Sequence, residues 1–267
     1  MPKTCPSCGR EYIKYTGIGT QQVEEQLKLV FPNVRCLRMD MDTTSGKTAH
    51  RDILDAFTRR EADVLIGTQM VAKGLDIPNV TLVGVVFADS TLFHSDFRSS
   101  ERTFQLLTQV AGRAGRADKE GRVVIQTNAP GHRAIRLCTK HDYKTFYNLE
   151  IGDRLRTLFP PFAVFVRAQF ACADENAAAD AAERFANGVT KTILTALKPA
   201  NAENELVFAL AGAAPIRRRE GLFRYAVIIK LVRTANTAAA INAIYAFSDG
   251  CADECYRGIE VNPQDML

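Results

Sequence analysis

The chain has 267 residues, 46% of them hydrophobic and 24% charged, which excludes a disordered chain and is enough for two domains with real cores. Its net charge of +4 permits a nucleic-acid partner without demanding one. The longest apolar stretches, such as Val80–Ala88, are of strand length and exclude a membrane span; no apolar segment follows Met1, so a secretory signal is not expected and the cytoplasm is.

Cys5-Pro6-Ser7-Cys8-Gly9 opens the chain as a CxxC knuckle, half of the ligand set that a structural zinc requires. Cys251 and Cys255 are too far apart in sequence to make a second such pair. Other cysteines, among them Cys36, Cys138 and Cys172, stand alone in apolar strings, and the odd total of seven argues for reduced thiols. Tyr12–Tyr15 reads as a short strand, followed by a turn over Gly17-Ile18-Gly19-Thr20. A helix then places Val23, Leu27 and Val30 on one face.

Val34–Met39 is a predicted strand and Ala49–Arg59 a predicted helix with Ile53, Leu54 and Phe57 inward. Between them, Ser45-Gly46-Lys47-Thr48 imitates a phosphate loop. The position five residues before Gly46 is Met41 rather than glycine, and Asp40 and Asp42 would repel a polyphosphate, so a polar loop is the better reading. Val64–Gly67 and Val80–Ala88 are near-continuous apolar strands, as in a parallel sheet covered on both faces. Arg102–Val110 is helical and Arg122–Thr127 a further strand. This β-α-β-α order implies an open α/β sheet with its site at the carboxyl ends of the strands.

Two helices are predicted over 132–157, ended by Phe159-Pro160-Pro161-Phe162, where a domain boundary is expected. Then follow strand 163–172, helix 175–197, strands 205–211 and 222–232, helix 235–247 and strand 257–261. That order is β-α-β-β-α-β, an α+β ferredoxin-like arrangement.

Two segments carry chemistry. Gly67-Thr68-Gln69-Met70-Val71-Ala72-Lys73-Gly74-Leu75-Asp76 follows a buried strand, framed by glycines that let the backbone approach a ligand. Gln109-Val110-Ala111-Gly112-Arg113-Ala114-Gly115-Arg116 puts Gln109, Arg113 and Arg116 on one face if helical, and two guanidinium groups on one face make a polyanion site. In the second half, Arg217, Arg218 and Arg219 are expected to project from a hairpin tip, with Arg224 and Lys230 as further candidates on the next strand. Their bland reading is a solvated charged turn; their functional one is phosphate contact or capture of an acidic peptide.

Together the two segments resemble motifs V and VI of superfamily-2 helicases. Thr16–Thr20, Arg38–Thr44, Val80–Asp89, Asp96-Phe97-Arg98 through Arg116, and Phe159–Phe162 extend the resemblance to the replication-restart DNA helicases, the primosomal protein N′ family. It departs from that pattern at Ile77 and Ser95, which concern loop stiffness rather than chemistry. The resemblance implies that residues 11–158 form the second RecA-like lobe, a parallel sheet with helices on both faces. Residues 159–267 would form an accessory domain, and 1–10 the end of a zinc-binding cysteine insertion with Cys5 and Cys8 as its last pair. It further implies ATP with Mg2+ bound mainly by a first lobe that this sequence lacks. Arg113 and Arg116 would act as arginine fingers, Gln109 would read the γ-phosphate or its attacking water, and Gly74 and Asp76 would lie against the nucleotide. Thr16, Gly17, Thr20, Thr68 and Gln69 would touch DNA. Function would be 3′→5′ unwinding at stalled forks, with forked and single-stranded DNA, single-strand-binding protein and other primosome proteins as partners. The chain alone is expected to be catalytically incomplete. Other readings of the residues are a non-enzymatic nucleic-acid or partner-binding module and an RNA-directed translocase.

Overall fold

The computed structural model describes residues 4, 9, 19–40, 49–68, 71, 80–112, 121–197 and 205–264. It is a mixed α/β molecule of two compact units. One comprises Met1–His94 and Arg98–Phe146, the other Ser95–Phe97 and Tyr147–Leu267. The strand expected over Tyr12–Tyr15 and the loop Ser45–Thr48 lie outside the described residues.

In the first unit, helix α1 (Thr20–Val30) leads to strand β1 (Cys36–Met39), helix α2 (Ala49–Thr58) and strand β2 (Val64–Gly67). Strands β1 and β2 pair in parallel, from Cys36 opposite Val64 to Met39 opposite Gly67. Arg35 and Asp63, one residue ahead of each strand, brace the entry of the pair with a bidentate ion pair of 2.7 and 3.1 Å. The guanidinium and the Arg35 amide hold the Asp63 carboxyl down at about 2. Val23 and Leu27 of α1 are half-buried as expected, but Val30 is exposed because the helix ends there.

Strand β3 (Leu82–Val85) pairs in parallel with β4 (Arg122–Ile125), both shorter than their apolar runs. Phe87, at φ 61, turns the chain out of the strand. Instead of two covered faces, β3 alternates, with Leu82 and Gly84 exposed and Val83 and Val85 half-buried, as no described element lies over the first face. Helices α3 (Asp89–Leu92), α4 (Ser99–Ala111) and α5 (Arg133–Cys138) build the core of this unit with the first turn of α6 (Tyr143–Arg156). Its centre is the stack of Phe104 on Phe146, with centroids 4.2 Å apart.

The second unit holds β5 (Ala163–Cys172), α7 (Glu175–Ala196), β6 (Leu206–Arg219), β7 (Leu222–Val232), α8 (Thr237–Asp249) and β8 (Tyr256–Val261). The β-α-β-β-α-β order is the expected one, and its strands form one antiparallel sheet in the order β6-β7-β5-β8. Val166, Ala168 and Phe170 of β5 and Val227, Ile229 and Leu231 of β7 face the two helices. Helix α7 starts at Asp174, whose carboxylate caps the Ala177 amide at 2.8 Å. Its small inner residues let α8 come close: a Cβ at Gly188 would overlap the Phe247 ring.

Two expectations are corrected here. The three arginines stand exposed at the end of the hairpin as expected, but strand β6 runs on to Arg219, so they belong to its paired end rather than to a loop. A two-residue turn makes this possible, with Glu220 at φ 53 and Gly221 at φ 82, both left-handed as the tightest hairpins require. Lys230, expected on the charged surface, is buried instead. Its ammonium donates to the Thr157 carbonyl at 2.8 Å and lies over the rings of Phe159, Phe165 and Phe208.

Candidate functional site

Parallel strands deliver their carboxyl ends to one edge, and in the first unit that edge holds two of the expected residues. Thr20 opens α1 and donates its hydroxyl to Asp40, just beyond β1, at 2.6 Å. Arg38 reaches the same Asp40 oxygen at 3.3 Å, so this buried carboxylate holds both the start of α1 and the end of β1 through one oxygen. Thr68 follows β2, exposed, with its carbonyl accepting from the Val71 amide at 3.1 Å. Gly67 between them cannot be replaced cheaply: a Cβ there would overlap Val71 and lie 2.6 Å from the Met39 carbonyl oxygen. The close approach of β1, β2 and the following turn thus fixes where Thr68 emerges.

Gln109 lies on the exposed side of α4, opposite the buried Thr103, Phe104 and Leu107, and its side chain has no partner among the described residues. The helix ends at Ala111, with Gly112 as its cap. Arg113, Arg116, Gly74, Asp76, Gln69, Thr16, Gly17, Cys5 and Cys8 lie outside the described residues. Among the described residues, no group of three or more His, Cys, Asp or Glu side chains could hold a metal ion, and no helix is long and apolar enough to cross a membrane.

Sequence reasoning misses Asp89. It is buried at the start of α3 and accepts from the Thr127 hydroxyl at 3.0 Å and the Asn128 amide at 3.0 Å, tying together the chain beyond β3 and beyond β4. An acidic residue after an apolar run is the only signal available. Asp40 reads in the sequence only as a charge repelling phosphate; in the structure it also anchors Thr20.

In the second unit the three hairpin arginines do not act as one patch. Arg217 is bonded to Glu175, which also accepts from the Tyr225 hydroxyl. Arg218 lies over the Phe223 ring at 4.9 Å, and Arg219 pairs with the adjacent Glu220 at 3.2 Å. Arg224 is separate from them and lines a cavity on the sheet. Cys255, buried beside Cys172, has its thiol pushed up to about 12, first by burial and then by that neighbour, which does not suit a metal ligand.

Residues 13–118 match the family described as "Helicase conserved C-terminal domain". The chain is 45% identical to the replication restart protein PriA of Bacillus subtilis over 91% of its own length and 29% of that relative. It is 50% identical to PriA of Synechocystis over 62% of the chain and 20% of the relative. Identity to PriA of Haemophilus influenzae is 45% over 61% of the chain and 22% of the relative. The chain therefore spans less than a third of the length of these curated relatives.

Proposed function

We propose, from the premise that this chain corresponds to the C-terminal portion of PriA-type replication restart proteins, that it is the second motor lobe and accessory domain of an ATP-dependent DNA helicase. The observation that carries this is the 45% identity sustained over 91% of the chain, across both compact units. The strand-end edge agrees with it. Thr68, emerging exposed where β1, β2 and the following turn pack closely, suits a contact to a nucleic-acid backbone, as do Thr16, Gly17 and Gln69 by their places in the sequence; Thr20 gives its hydroxyl proton to Asp40 and would meet phosphate through its amide at the start of α1.

In this reading the substrate ATP sits between two lobes. Arg113 and Arg116, just beyond α4, stabilise charge on the transferred phosphoryl group, and Gln109 orients the attacking water. Gly74 and Asp76 lie against the nucleotide. The described strand ends do not fit Mg2+: Asp40 is taken up by Thr20 and Arg38, Asp89 by Thr127 and the Asn128 amide. No step of the reaction is assigned to a metal held here, and the 267-residue chain alone does not hydrolyse ATP. A zinc ion at Cys5 and Cys8 would need ligands from elsewhere, since two thiolates make half a tetrahedral site. The functional domains are taken as 1–10, 11–158 and 159–267. Partners are forked and single-stranded DNA, single-strand-binding protein and other primosome proteins, and the compartment is the cytoplasm.

The test uses a full-length parent protein and a forked duplex. Arg113→Ala and Arg116→Ala should each lower kcat for DNA-stimulated ATP hydrolysis by about 10³-fold and abolish unwinding, with DNA affinity nearly unchanged. Normal turnover in either variant, or loss of DNA binding alone, sinks the assignment.

A further inference from the structure

Helices α7 and α8 cover one face of the second unit's sheet; on the other, Phe97 and Phe159 stack at Phe165 and the Lys230 ammonium lies over Phe208, and beyond them the face is left open by the described residues. On that open face lies a cavity of about 470 Å³, to which all four strands contribute. That volume is within the range of sites for a nucleotide-sized ligand. Its apolar part includes Phe208, Leu210 and Ile228, and Leu210 is 62% exposed, unusual for a leucine in the middle of a strand.

Three arginines line the same cavity, and their partners differ. Arg167 is neutralised by Glu260 at 2.8 Å. Arg257 is exposed and reaches only backbone carbonyls, those of Glu254 at 2.6 Å, Ala171 at 2.7 Å and Tyr256 at 3.0 Å. Arg224 makes no hydrogen bond or ion pair among the described residues. Two guanidinium charges without a carboxylate therefore stand at one end of the cavity, where Arg224 pairs with Ala171 and Arg257 reaches the Ala171 carbonyl, roughly 13 Å along the strands from the apolar pair of Leu210 and Ile228. That is a demand for an anion that also carries a flat apolar surface.

The geometry points to this open face as a binding site for single-stranded nucleic acid, with a base laid on Leu210 and Ile228 and the phosphates of neighbouring nucleotides along the strand on Arg224 and Arg257. A guanidinium fork matches phosphate oxygens, and a four-stranded antiparallel sheet with a free face is a platform on which unpaired bases can lie. A duplex would expose its phosphates but keep its base faces stacked and out of reach of the floor. An acidic peptide would satisfy the arginines, yet it would cover Leu210 only if it also brought a large apolar side chain. The inference rests on the nucleic-acid reading above and moves the accessory domain's main contact from the hairpin arginines to the sheet.

The sequence contains no tryptophan, so Leu210→Trp in the 267-residue chain gives a reporter at this face alone. Titration with an oligothymidylate of about 12 nucleotides should quench its fluorescence by stacking. In parallel, anisotropy of the labelled oligonucleotide with the unsubstituted chain measures binding without the reporter. Arg224→Glu should weaken that binding about tenfold and Arg224→Lys by less than about threefold. Arg136→Glu, a charge reversal on the first unit, should change it by less than about twofold. Binding by anisotropy without quenching of the introduced indole, or with an unaltered Arg224→Glu affinity, overturns the sheet-face site and leaves the helicase reading standing. Quenching by an acidic peptide but not by the oligonucleotide also overturns it and reassigns the face. No oligonucleotide binding at all would remove the nucleic-acid reading itself.

Discussion

Phe97 stacks on Phe159 with ring centroids 5.0 Å apart and planes inclined by 12°. Phe165 extends the stack, Arg154 lies over Phe97 at 5.1 Å, and Lys230 lies over Phe159 at 4.7 Å. A segment of three residues, Ser95–Phe97, thereby becomes part of the second unit although its neighbours on both sides belong to the first. Removing the ring takes away apolar burial and two ring-stacking contacts together. Phe97→Ala should lower stability by about 2–3 kcal/mol, and Phe97→Leu should recover more than half of that. Urea midpoints of the three proteins decide it; equal midpoints would mean that the stack contributes nothing.

The purified 267-residue chain should show no DNA-stimulated ATP hydrolysis above a blank. The two buried carboxylates at its strand ends hold Thr20, Arg38, Thr127 and the Asn128 amide in place, a structural role, and under the proposed function the nucleotide's metal sits on another lobe. Phosphate release with and without fork DNA is the measurement. Turnover that survives further purification and is lost in Lys47→Ala would show that the Ser45–Thr48 loop is a phosphate loop after all.

Asp63 gives an acid signature. Its carboxyl is held at about 2, below the ordinary value, by hydrogen bonds from the Arg35 guanidinium and amide. A group whose folded pKa is depressed adds stability that is full above its unfolded pKa and fades as pH falls through the folded one. The stability difference between the chain and Asp63→Asn should thus be constant above the ordinary carboxylate range and shrink as pH falls toward about 2. Thermal melts from neutral pH downward test the sign. A difference that grows on acidification would contradict it.

Arg217, Arg218 and Arg219 should matter less to DNA than three adjacent cations suggest, since Arg217 is committed to Glu175. Changing all three to Ala should flatten the plot of log K against log salt by at most about 1.4, two contacts at roughly 0.7 each for a single strand. Oligonucleotide affinities at several salt concentrations give the slope. A fall near 2.1, about 0.7 for each of three contacts, would show that Glu175 releases Arg217 to the phosphate backbone.

The sequence is legible where pattern and burial are local. Val34–Met39 reads as a strand and the near-continuous apolar run Val64–Gly67 as a strand of a parallel sheet, and the β-α-β-β-α-β order follows from switches between two-residue and helical periodicity. Legibility stops where the partner is remote. Thr20 and Asp40 are twenty residues apart, and nothing local says that one anchors the other. Lys230 looks like a surface cation until Phe159, Phe165 and Phe208 are brought around it from three separate segments. The outer part of β6 is hidden because Pro215 and three arginines lack any strand pattern, and its pairing depends on a left-handed glutamate that is rare in turns. The arginines beyond α4 are legible as chemistry and remain outside the described residues.

Gly188 ties the history of two helices together. Phe247 occupies the space that any side chain at 188 would need, and its ring meets Phe185 at 5.1 Å, which in turn stacks on Tyr256 at 5.6 Å. The two positions are coupled: enlarging 188 must displace the ring, and shrinking 247 leaves a hole beneath it. The permitted moves are paired, a bulkier residue at 188 with a smaller one at 247. Lineages of this domain should therefore differ at these two sites together or at neither.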